Sequence, residues 1–223
     1  MSAEMARARR AHRPVRRARA ASQTRAAILA AAMRLFLERG YGGATVSDIA
    51  KEAGTAIPTV YASAGGKAAI LATLIADAQG DPIVEDTLAA VRERTDPGEV
   101  IRAAVRGVRT DNERYHDIVR VMVTAASVDE SVAASLVASD REYRTALGEV
   151  AVRLGEVHPL TVSLARATDI LWFYLGHQAW HICVAEQGWS WDEAEAWLAA
   201  QVVAALVAPV SPGAPVSPRA ANG

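Results

Sequence analysis

Cysteine is almost absent from this sequence of 223 residues, in which Cys183 is the only one. A single thiol cannot form a disulfide within the chain, so the sequence excludes a disulfide-stapled secreted domain and fits a reducing compartment. Long apolar runs are also lacking. Those near the C-terminus are broken by Asp169, His177, His181 and Glu186, short of the roughly 20 residues that a membrane-spanning helix needs. The Arg-rich N-terminus has no apolar segment behind it and does not resemble a secretory signal. We expect a cytoplasmic protein that does not engage a membrane.

Signatures of strands and of catalysis are missing as well. No segment alternates apolar and polar residues over any length, and none predicts a hairpin, so the chain is predicted to be all-α. The sequence contains no nucleophile elbow, no dinucleotide-binding glycine fingerprint and no metal-ligand set. Gly65-Gly66-Lys67 does not form a phosphate-binding loop, because Tyr61 and Ala68 stand where that motif needs a glycine and a Ser or Thr. We therefore expect no enzymatic activity, no cofactor and no metal ion.

The two ends of the chain differ in charge, although the net charge is only −1. Residues 1–70 contain 12 Lys and Arg against 4 Asp and Glu, a balance of +8, whereas residues 71–223 contain 12 against 21, a balance of −9. A basic N-terminal unit followed by an acidic one is typical of a DNA-binding domain joined to a body that self-associates or binds a ligand. The hydrophobic content of 51% favours an additional buried subunit interface.

Residues 45–64 have the pattern of two short helices joined by a tight turn. Thr45 and Asp48 form a Ser/Thr-x-x-acid capping box, which predicts the start of the first helix. Gly54 can close that helix in a left-handed conformation, and Pro58 is tolerated in the first turn of the second helix. Two such helices with a glycine at the bend are typical of a helix-turn-helix, whose second helix enters the DNA major groove.

Further motifs surround this unit in a fixed order. They are Thr24–Leu29, Leu35–Tyr41, Thr45–Gly54, Thr59–Tyr61 and Lys67. With these motifs, residues 22–82 resemble the TetR (tetracycline-repressor-like) family of bacterial transcriptional regulators. The resemblance implies an N-terminal three-helix DNA-binding domain, a larger C-terminal helical domain for effector binding and dimerisation, and a homodimer that binds a double-stranded DNA operator. The chain departs from the family at Ala56, where many members have a capping Ser, and at Ala62-Ser63-Ala64, where many have an aromatic–basic–aromatic run.

Breaks along the chain predict its organisation. We expect a basic disordered arm over residues 1–21, a DNA-binding domain over 22–82, an effector-binding and dimerisation domain over 83–207 and a disordered tail over 208–223. The arm is rich in arginine, and whether it contacts DNA stays open. The first helix is predicted over about residues 24–39, and Gly80-Asp81-Pro82 marks the domain junction. A further break is predicted near residues 109–112.

The candidate DNA-binding residues come from the helix-turn-helix and from the start of the helix after it. The predicted set is Thr45, Ser47, Ile57, Pro58, Thr59, Tyr61, Ala62, Ser63 and Lys67. Helical periodicity turns Val60 toward its own domain, and the outward face of the second helix offers no Arg, Asn or Gln for a bidentate base contact. The resemblance assigns phosphate contacts to Tyr61 and Lys67. It assigns the same role to Thr45 and Ser47, where a helix start also favours an anion.

The candidate ligand-binding residues lie in the C-terminal body and are mostly aromatic residues and histidines. They are Tyr115, His116, Met122, Tyr143, Trp172, Tyr174, His177, Trp180 and His181. A pocket lined by them favours a largely apolar, aromatic effector. His177 and His181, four residues apart, share one face of a predicted helix but lack further ligands for a metal ion. The helices near 161–186 and 191–207 are expected to form the dimer interface, and which face of the first lines the pocket stays open.

These features predict a ligand-responsive transcriptional regulator. By the resemblance it is a repressor that binds a pseudo-palindromic operator as a homodimer and is released by a small-molecule effector; the residues themselves do not separate repression from activation. Two alternatives stay open: a helical enzyme, and a helical scaffold that has lost DNA binding, which the atypical Ala62-Ser63-Ala64 permits. A measurement of DNA binding discriminates between these alternatives and the regulator.

Overall fold

The computed structural model describes residues 2–207, with side chains from residue 16 onward, and within these limits it contains helices and no strand. The helices are α1 Ser2–Gly43, α2 Val46–Glu52, α3 Ile57–Ala64, α4 Lys67–Gln79, α5 Ile83–Arg92, α6 Pro97–Ala126, α7 Glu130–Val157, α8 Leu164–Leu175, α9 His177–Trp180 and α10 Trp191–Leu206. A π-helical turn, His181–Glu186, lies between α9 and α10. The prediction of an all-α chain is confirmed. The predicted tail, 208–223, lies outside the described residues.

The described chain divides into two compact units. The first unit contains the residues up to Val84 together with Thr110–Tyr143, and the second contains Glu85–Arg109 and the residues from Arg144 onward. The division differs from the expected domain over 83–207, which stays a prediction. The physical reason is helix length: α6 has 30 residues and α7 has 28, which is about 45 and 42 Å at 1.5 Å per residue. Each of these helices therefore contributes residues to both units.

The break predicted near residues 109–112 is wrong, because α6 continues through it without interruption. Thr110, Asp111 and Asn112 are individually poor helix formers. No glycine or proline occurs between Gly107 and Ser127, however, so nothing there forces the helix to end. Asn112 is also buried, with 3% of its surface exposed. Packing of the helix thus outweighs the weak local preference.

One hydrophobic core holds the first unit together. Buried residues of α1 recur at the predicted helical spacing, with Ile28, Leu35 and Phe36 at most 3% exposed. The same cluster contains residues of α2, α3, α4, α6 and α7, among them Ile49, Val60, Ile70, Leu71, Ile118, Val121, Met122 and Val132. The two helices of the helix-turn-helix are therefore fixed from behind by apolar packing.

The helix-turn-helix has the predicted caps. The Thr45 hydroxyl accepts a hydrogen bond from the Asp48 amide, and the Asp48 carboxylate accepts one from the Thr45 amide, which completes the capping box. Gly54 has φ +64°, in the left-handed region that favours glycine. α3 begins with Pro58 in its first turn, and no side chain caps it at Ala56. Loss of a cap typically costs about 1 kcal/mol of helix stability.

α1 is longer than predicted. The helix begins at Ser2 rather than near residue 24, so it runs through the segment for which a disordered arm is expected. Alanine and arginine, the commonest residues of this segment, are strong helix formers. They extend a helix that is already anchored in the core from Ile28 onward, and extending an existing helix costs less than nucleating a new one. Gly40, with φ +72°, interrupts the helix where its end was predicted.

In the second unit, the helix predicted across Gly176 is interrupted at that residue. α8 ends at Leu175, and Gly176 is extended, with φ −64° and ψ 157°. A β-carbon at Gly176 would lie 2.6 Å from the Trp172 carbonyl oxygen, which explains the glycine. His177 then begins α9, and His181 begins the π-helical turn. The His181 amide still donates to the His177 carbonyl oxygen, so the two histidines lie one helical turn apart on one face, but on a short helix that begins after Gly176.

Tryptophans form a central part of the second unit. Trp180 is fully buried and stacks on Trp191, with ring centroids 5.8 Å apart. α10 begins at a capping box formed by Ser190 and Glu193. Leu198 and further apolar residues of α10 are buried within the unit. The π-helical turn thus lies between two well-anchored segments.

No single helix among the described residues is long and apolar enough to cross a membrane. One bent pair of segments, Ile57–Ala64 and Lys67–Arg92, meets the same criteria by length and composition. Apolar side chains of that pair, such as Val60, Ile70 and Leu71, lie in the core of the first unit.

Candidate nucleic-acid interface

α3 presents two different faces, as its sequence predicts. Val60 is fully buried, whereas Ile57 is 43% and Tyr61 is 56% exposed. Pro58 and Ala62 are exposed too, and the candidates Thr59 and Ser63 are half-buried. A tyrosine in the core is thereby excluded at position 61. The outward face of α3 is apolar apart from hydroxyl groups and has the size of a major-groove contact.

The start of α2 has two exposed candidates, Thr45 and Ser47. The Thr45 hydroxyl is already engaged: it lies 2.6 Å from the Asp48 Oδ2 that it bonds. This hydroxyl and the Thr45 amide, together with the Arg39 guanidinium, hold the pKa of the Asp48 carboxyl below its usual range. A negative charge at this helix start opposes a phosphate. Ser47 is therefore the better placed of the two to contact one.

Lys67 is held by the domain itself. Its ammonium nitrogen donates a hydrogen bond to the Tyr41 carbonyl oxygen at 2.7 Å and lies 4.4 Å from the centroid of the Tyr41 ring. The Tyr41 hydroxyl in turn donates to Asp129 Oδ2 at 2.9 Å. Burial first, and then this acceptor, raise the pKa of Tyr41 to about 12. An ammonium has three N–H donors, so Lys67 keeps donors for a phosphate while Tyr41 fixes its direction.

Arg25 is a residue of this surface that sequence reasoning missed. Its guanidinium donates to the Ser63 carbonyl oxygen at 2.6 Å and to the Thr73 hydroxyl at 3.2 Å. Ser63 lies in the last turn of α3, where the unpaired carbonyls of a helix favour a cation. Arg25 thus fixes the end of the recognition helix. The only signal in the sequence was its place in the motif Thr24–Leu29, which assigned it no role.

Four of the candidate ligand-binding residues lie in the first unit. Met122 is a core residue with 4% exposure. Tyr115 donates a hydrogen bond to Asp81 Oδ2 at 2.7 Å. Tyr143 is hydrogen-bonded to Asn112, and burial raises the pKa of its phenol. His116 is half-buried on α6. The role of these four residues in ligand binding stays a prediction.

The other five candidates lie in the second unit. Trp172 has the Arg144 guanidinium 5.3 Å from its ring centroid, and Tyr174 contacts the edge of a neighbouring ring. His181 Nε2 lies 3.6 Å from a Glu186 oxygen, and His177 is half-buried. Trp180 is fully buried, and its indole nitrogen has no hydrogen-bond partner among the described residues. The nine candidates are thus divided between the two units. In the described part of the chain, no cluster of His, Cys, Asp or Glu could hold a metal ion.

A groove of about 590 Å³ lies in the second unit between α6 and α10, away from these candidates. Its lining includes charged residues of both helices: Arg102, Arg106, Arg109, Asp192 and Glu195. The Arg109 guanidinium binds both acids, with nitrogen–oxygen distances of 2.6 Å. Small residues of α10 also line the groove. Sequence reasoning missed this groove, although the arginine spacing on α6 was visible.

The sequence of the first unit is similar to that of known DNA-binding proteins. Residues 28–74 match the family described as bacterial regulatory proteins, tetR family. This match assigns residues 28–74, which hold the helix-turn-helix and parts of the helices on either side, to the TetR family. The matched family consists of bacterial regulatory proteins, which supports a DNA-binding transcriptional regulator rather than an enzyme. No curated protein has a significantly similar sequence.

Solved structures of similar fold cover most of the chain. FadR from Bacillus subtilis in complex with stearoyl-CoA has a TM-score of 0.64 and 16% identity, over 80% of this chain and 97% of that one. PfmR from Thermus thermophilus, a TetR-family regulator, has a TM-score of 0.60 and 23% identity, over 81% and 94%. SmeT in complex with triclosan has a TM-score of 0.65 and 18% identity, over 83% and 92%. At these identities the likeness concerns the fold.

Proposed function

We propose that this TetR-family regulator is a ligand-responsive repressor in the cytoplasm, which binds a pseudo-palindromic operator as a homodimer. The observation that carries the proposal is the outward face of α3, where Ile57 and Tyr61 are exposed while Val60 anchors the helix in the core. Two such helices, related by a two-fold axis, would enter major grooves about one helical turn apart.

Base reading by this helix would depend on apolar contact. The exposed Ile57 and Ala62 can touch thymine methyl groups, and the hydroxyl of Thr59 can bond a base edge or a phosphate. Tyr61, Lys67 and Ser47 would bind phosphates and set the position of the domain on the duplex. We therefore expect an operator half-site that contains thymine at the positions facing the start of α3.

Dimerisation is supported by apolar residues that the second unit leaves exposed. Phe173 is 72%, Leu164 is 49% and Trp197 is 44% exposed, on α8 and α10. Leu171 and Leu198 are apolar residues of the same two helices, but they are buried within the unit, so they belong to its own core. Exposed aromatic and aliphatic side chains of this size favour an interface. A stable monomer in sedimentation at micromolar concentration would contradict this part of the proposal.

Effector binding is supported by Trp180. A fully buried indole N–H without a partner loses its hydrogen bond to water, and each such group in a folded protein needs an explanation. An apolar ligand with one hydrogen-bond acceptor would supply the partner. FadR and SmeT are bound to stearoyl-CoA and triclosan, which both combine large apolar parts with oxygen acceptors. Such a ligand would release DNA by favouring a conformation with the wrong spacing of the two recognition helices.

The test of the function is selection of a binding site from random duplexes, followed by mobility shift with the selected site. We expect a palindromic sequence and half-saturation in the nanomolar range. Tyr61→Ala should weaken binding to every duplex alike, and Ala68→Ser, at the neighbour of Lys67, is the matched control expected to be silent. Failure to select any sequence, with non-specific binding only, would favour a helical scaffold that has lost DNA recognition.

The effector is tested by tryptophan fluorescence with triclosan and stearoyl-CoA as probes. The probes should quench the fluorescence of the wild type. An affinity for the probe that falls at least tenfold in Trp180→Phe, but not in Trp189→Phe, would support the assignment. The same probes should release the selected DNA site. Release of DNA by a multiply charged metabolite, with no response to either apolar probe, would contradict it.

A further inference from the structure

The N-terminal extension of α1 is a basic surface that the helix-turn-helix does not use. Among the side chains of α1 that the structure describes, from residue 16 onward, the first buried one is Ile28, yet the helix begins at Ser2. We call residues 2–27 the basic extension. This segment contains eight arginines and one acidic residue, Glu4, near its start. Arg16, Arg17 and Arg19 are exposed. A single carboxylate cannot neutralise eight arginines, so the helical segment keeps a strong positive charge.

The base of the basic extension adjoins the recognition helix. Arg25 joins α1 to the last turn of α3 through the Ser63 carbonyl oxygen, and to α4 through Thr73. Ser63 follows directly after Tyr61 and Ala62, which are exposed on the face proposed to contact DNA. The extension therefore starts beside that face.

The length of the extension is suited to a duplex. Residues 16–27 form three helical turns, about 18 Å long at 1.5 Å per residue. Backbone phosphates on one strand of DNA are spaced about 3.4 Å apart along the axis, so this segment alone spans about five base pairs. Pro14, which precedes this segment, has no amide hydrogen, so the helix lacks one backbone hydrogen bond at that position. The segment 16–24 contains no large apolar residue, which makes a lipid surface or a partner helix a poorer match than a polyanion.

We propose that the basic extension is a second DNA-binding element of this protein, a helix whose arginines bind backbone phosphates outside the half-site read by α3. The proposal rests on DNA binding by α3. It adds a longer footprint and an affinity for flanking DNA that is independent of sequence, since phosphate contacts carry no base information. The helix matters because it gives the arginines a fixed direction from the anchor at Arg25.

The experiment compares two duplexes, the selected operator alone and the operator with ten further base pairs on each side. We expect the full-length protein to bind the longer duplex at least tenfold more tightly, with any flanking sequence. The variant Arg16→Gln/Arg17→Gln/Arg19→Gln should bind the long duplex no more tightly than the short one, while its affinity for the short duplex stays that of wild type. Its log–log salt slope on the long duplex should fall by up to about 2.7 for each bound protomer, at about 0.9 per phosphate contact. The corresponding Arg→Lys variant keeps the charge and should retain the gain.

Two proline variants separate a helix from a loose arm. We call the part of the first unit from Ile28 to the end of α4 the head. Ala20→Pro keeps all charges but interrupts the helix between the arginines and the head, so it should lose most of the gain on the long duplex. Ala3→Pro lies in the first turn, where proline is tolerated, and should behave as wild type. Equal binding of wild type to both duplexes overturns the proposal. So does an Ala20→Pro variant that keeps the full gain, because a loose arm would then suffice. Binding to neither duplex would instead contradict DNA recognition by α3.

Discussion

Replacing Asp111 with Asn is expected to stabilise the protein at neutral pH. Asp111 lies on α6, next to the buried Asn112. Burial, followed by repulsion from Asp81, raises its pKa from 3.8 to about 6, and Arg114 only partly opposes this. Asp81 itself stays ionised, because hydrogen bonds from Tyr115 and Arg114 lower its pKa. The folded protein thus has to carry two neighbouring carboxylates at pH 7, one of them poorly solvated.

The size of the effect follows from this pKa. A group whose pKa is raised on folding contributes stability that is full below its unfolded pKa of 3.8 and is lost as the pH rises through about 6. At about 1.4 kcal/mol per unit, the loss is at most about 3 kcal/mol above pH 6. The carboxyl of Asp111 is half-buried rather than enclosed, so we expect about 2 kcal/mol after the reduction that solvent screening brings. The asparagine that replaces it in the variant has no charge to desolvate.

The assay is urea unfolding of wild type and Asp111→Asn at several pH values from 4.5 to 8. The difference between the two proteins removes the contribution of all other titrating groups. It should be small near pH 4.5 and grow to about 2 kcal/mol in favour of the variant at pH 7. Asp117→Asn, an exposed carboxylate on the same helix, is the control and should show no such growth. A difference that is constant with pH, or a variant less stable at pH 7, would refute the reasoning.

Further predictions concern the head. Val60→Ala should lower the free energy of unfolding by about 2 kcal/mol, since two buried methyl groups are lost. Ile57→Ala should change it by less than about 0.5 kcal/mol and weaken DNA binding instead. Equal effects of the two variants on unfolding would contradict the orientation of α3. Lys67→Ala should weaken binding to all duplexes alike and reduce its salt slope, while Thr59→Ala should also change base preference in a repeated site selection; the reverse pattern would exchange their roles. Tyr41→Phe removes the hydroxyl that bonds the α6–α7 turn and should lower Tm by about 2–4 °C in calorimetry, and an unchanged Tm would show that this hydrogen bond contributes nothing net.

The sequence predicted those features of the head that have a local signature. The capping box at Thr45, the left-handed Gly54 and the inward Val60 each depend on residues within four positions of one another. Such patterns are set by helix geometry and hold in any context. The same local reasoning failed at Gly176, because the reason for that glycine is a clash with the preceding turn that only the three-dimensional path reveals.

Contacts between distant residues had no comparable signature. Tyr41 and Asp129 are 88 positions apart, and Arg25 and Ser63 are 38 apart. Each pair joins common residue types that could pair with many others, so only the packed helices select the partner. The pKa of Asp111 belongs to the same class, because burial and the charge of Asp81 are both properties of the fold.

These long-range contacts bear on how the head would meet DNA. Lys67 is already fixed by Tyr41, and the end of α3 is fixed by Arg25 before any phosphate is bound. A side chain that is held in its binding direction loses little further conformational entropy on association, a loss that is otherwise about 0.5–1.5 kcal/mol for each long side chain. α3 lacks a side-chain cap and has no bidentate base contact to offer. Preorganised phosphate contacts would therefore supply much of the affinity, and the apolar face of α3 would supply the discrimination between sites.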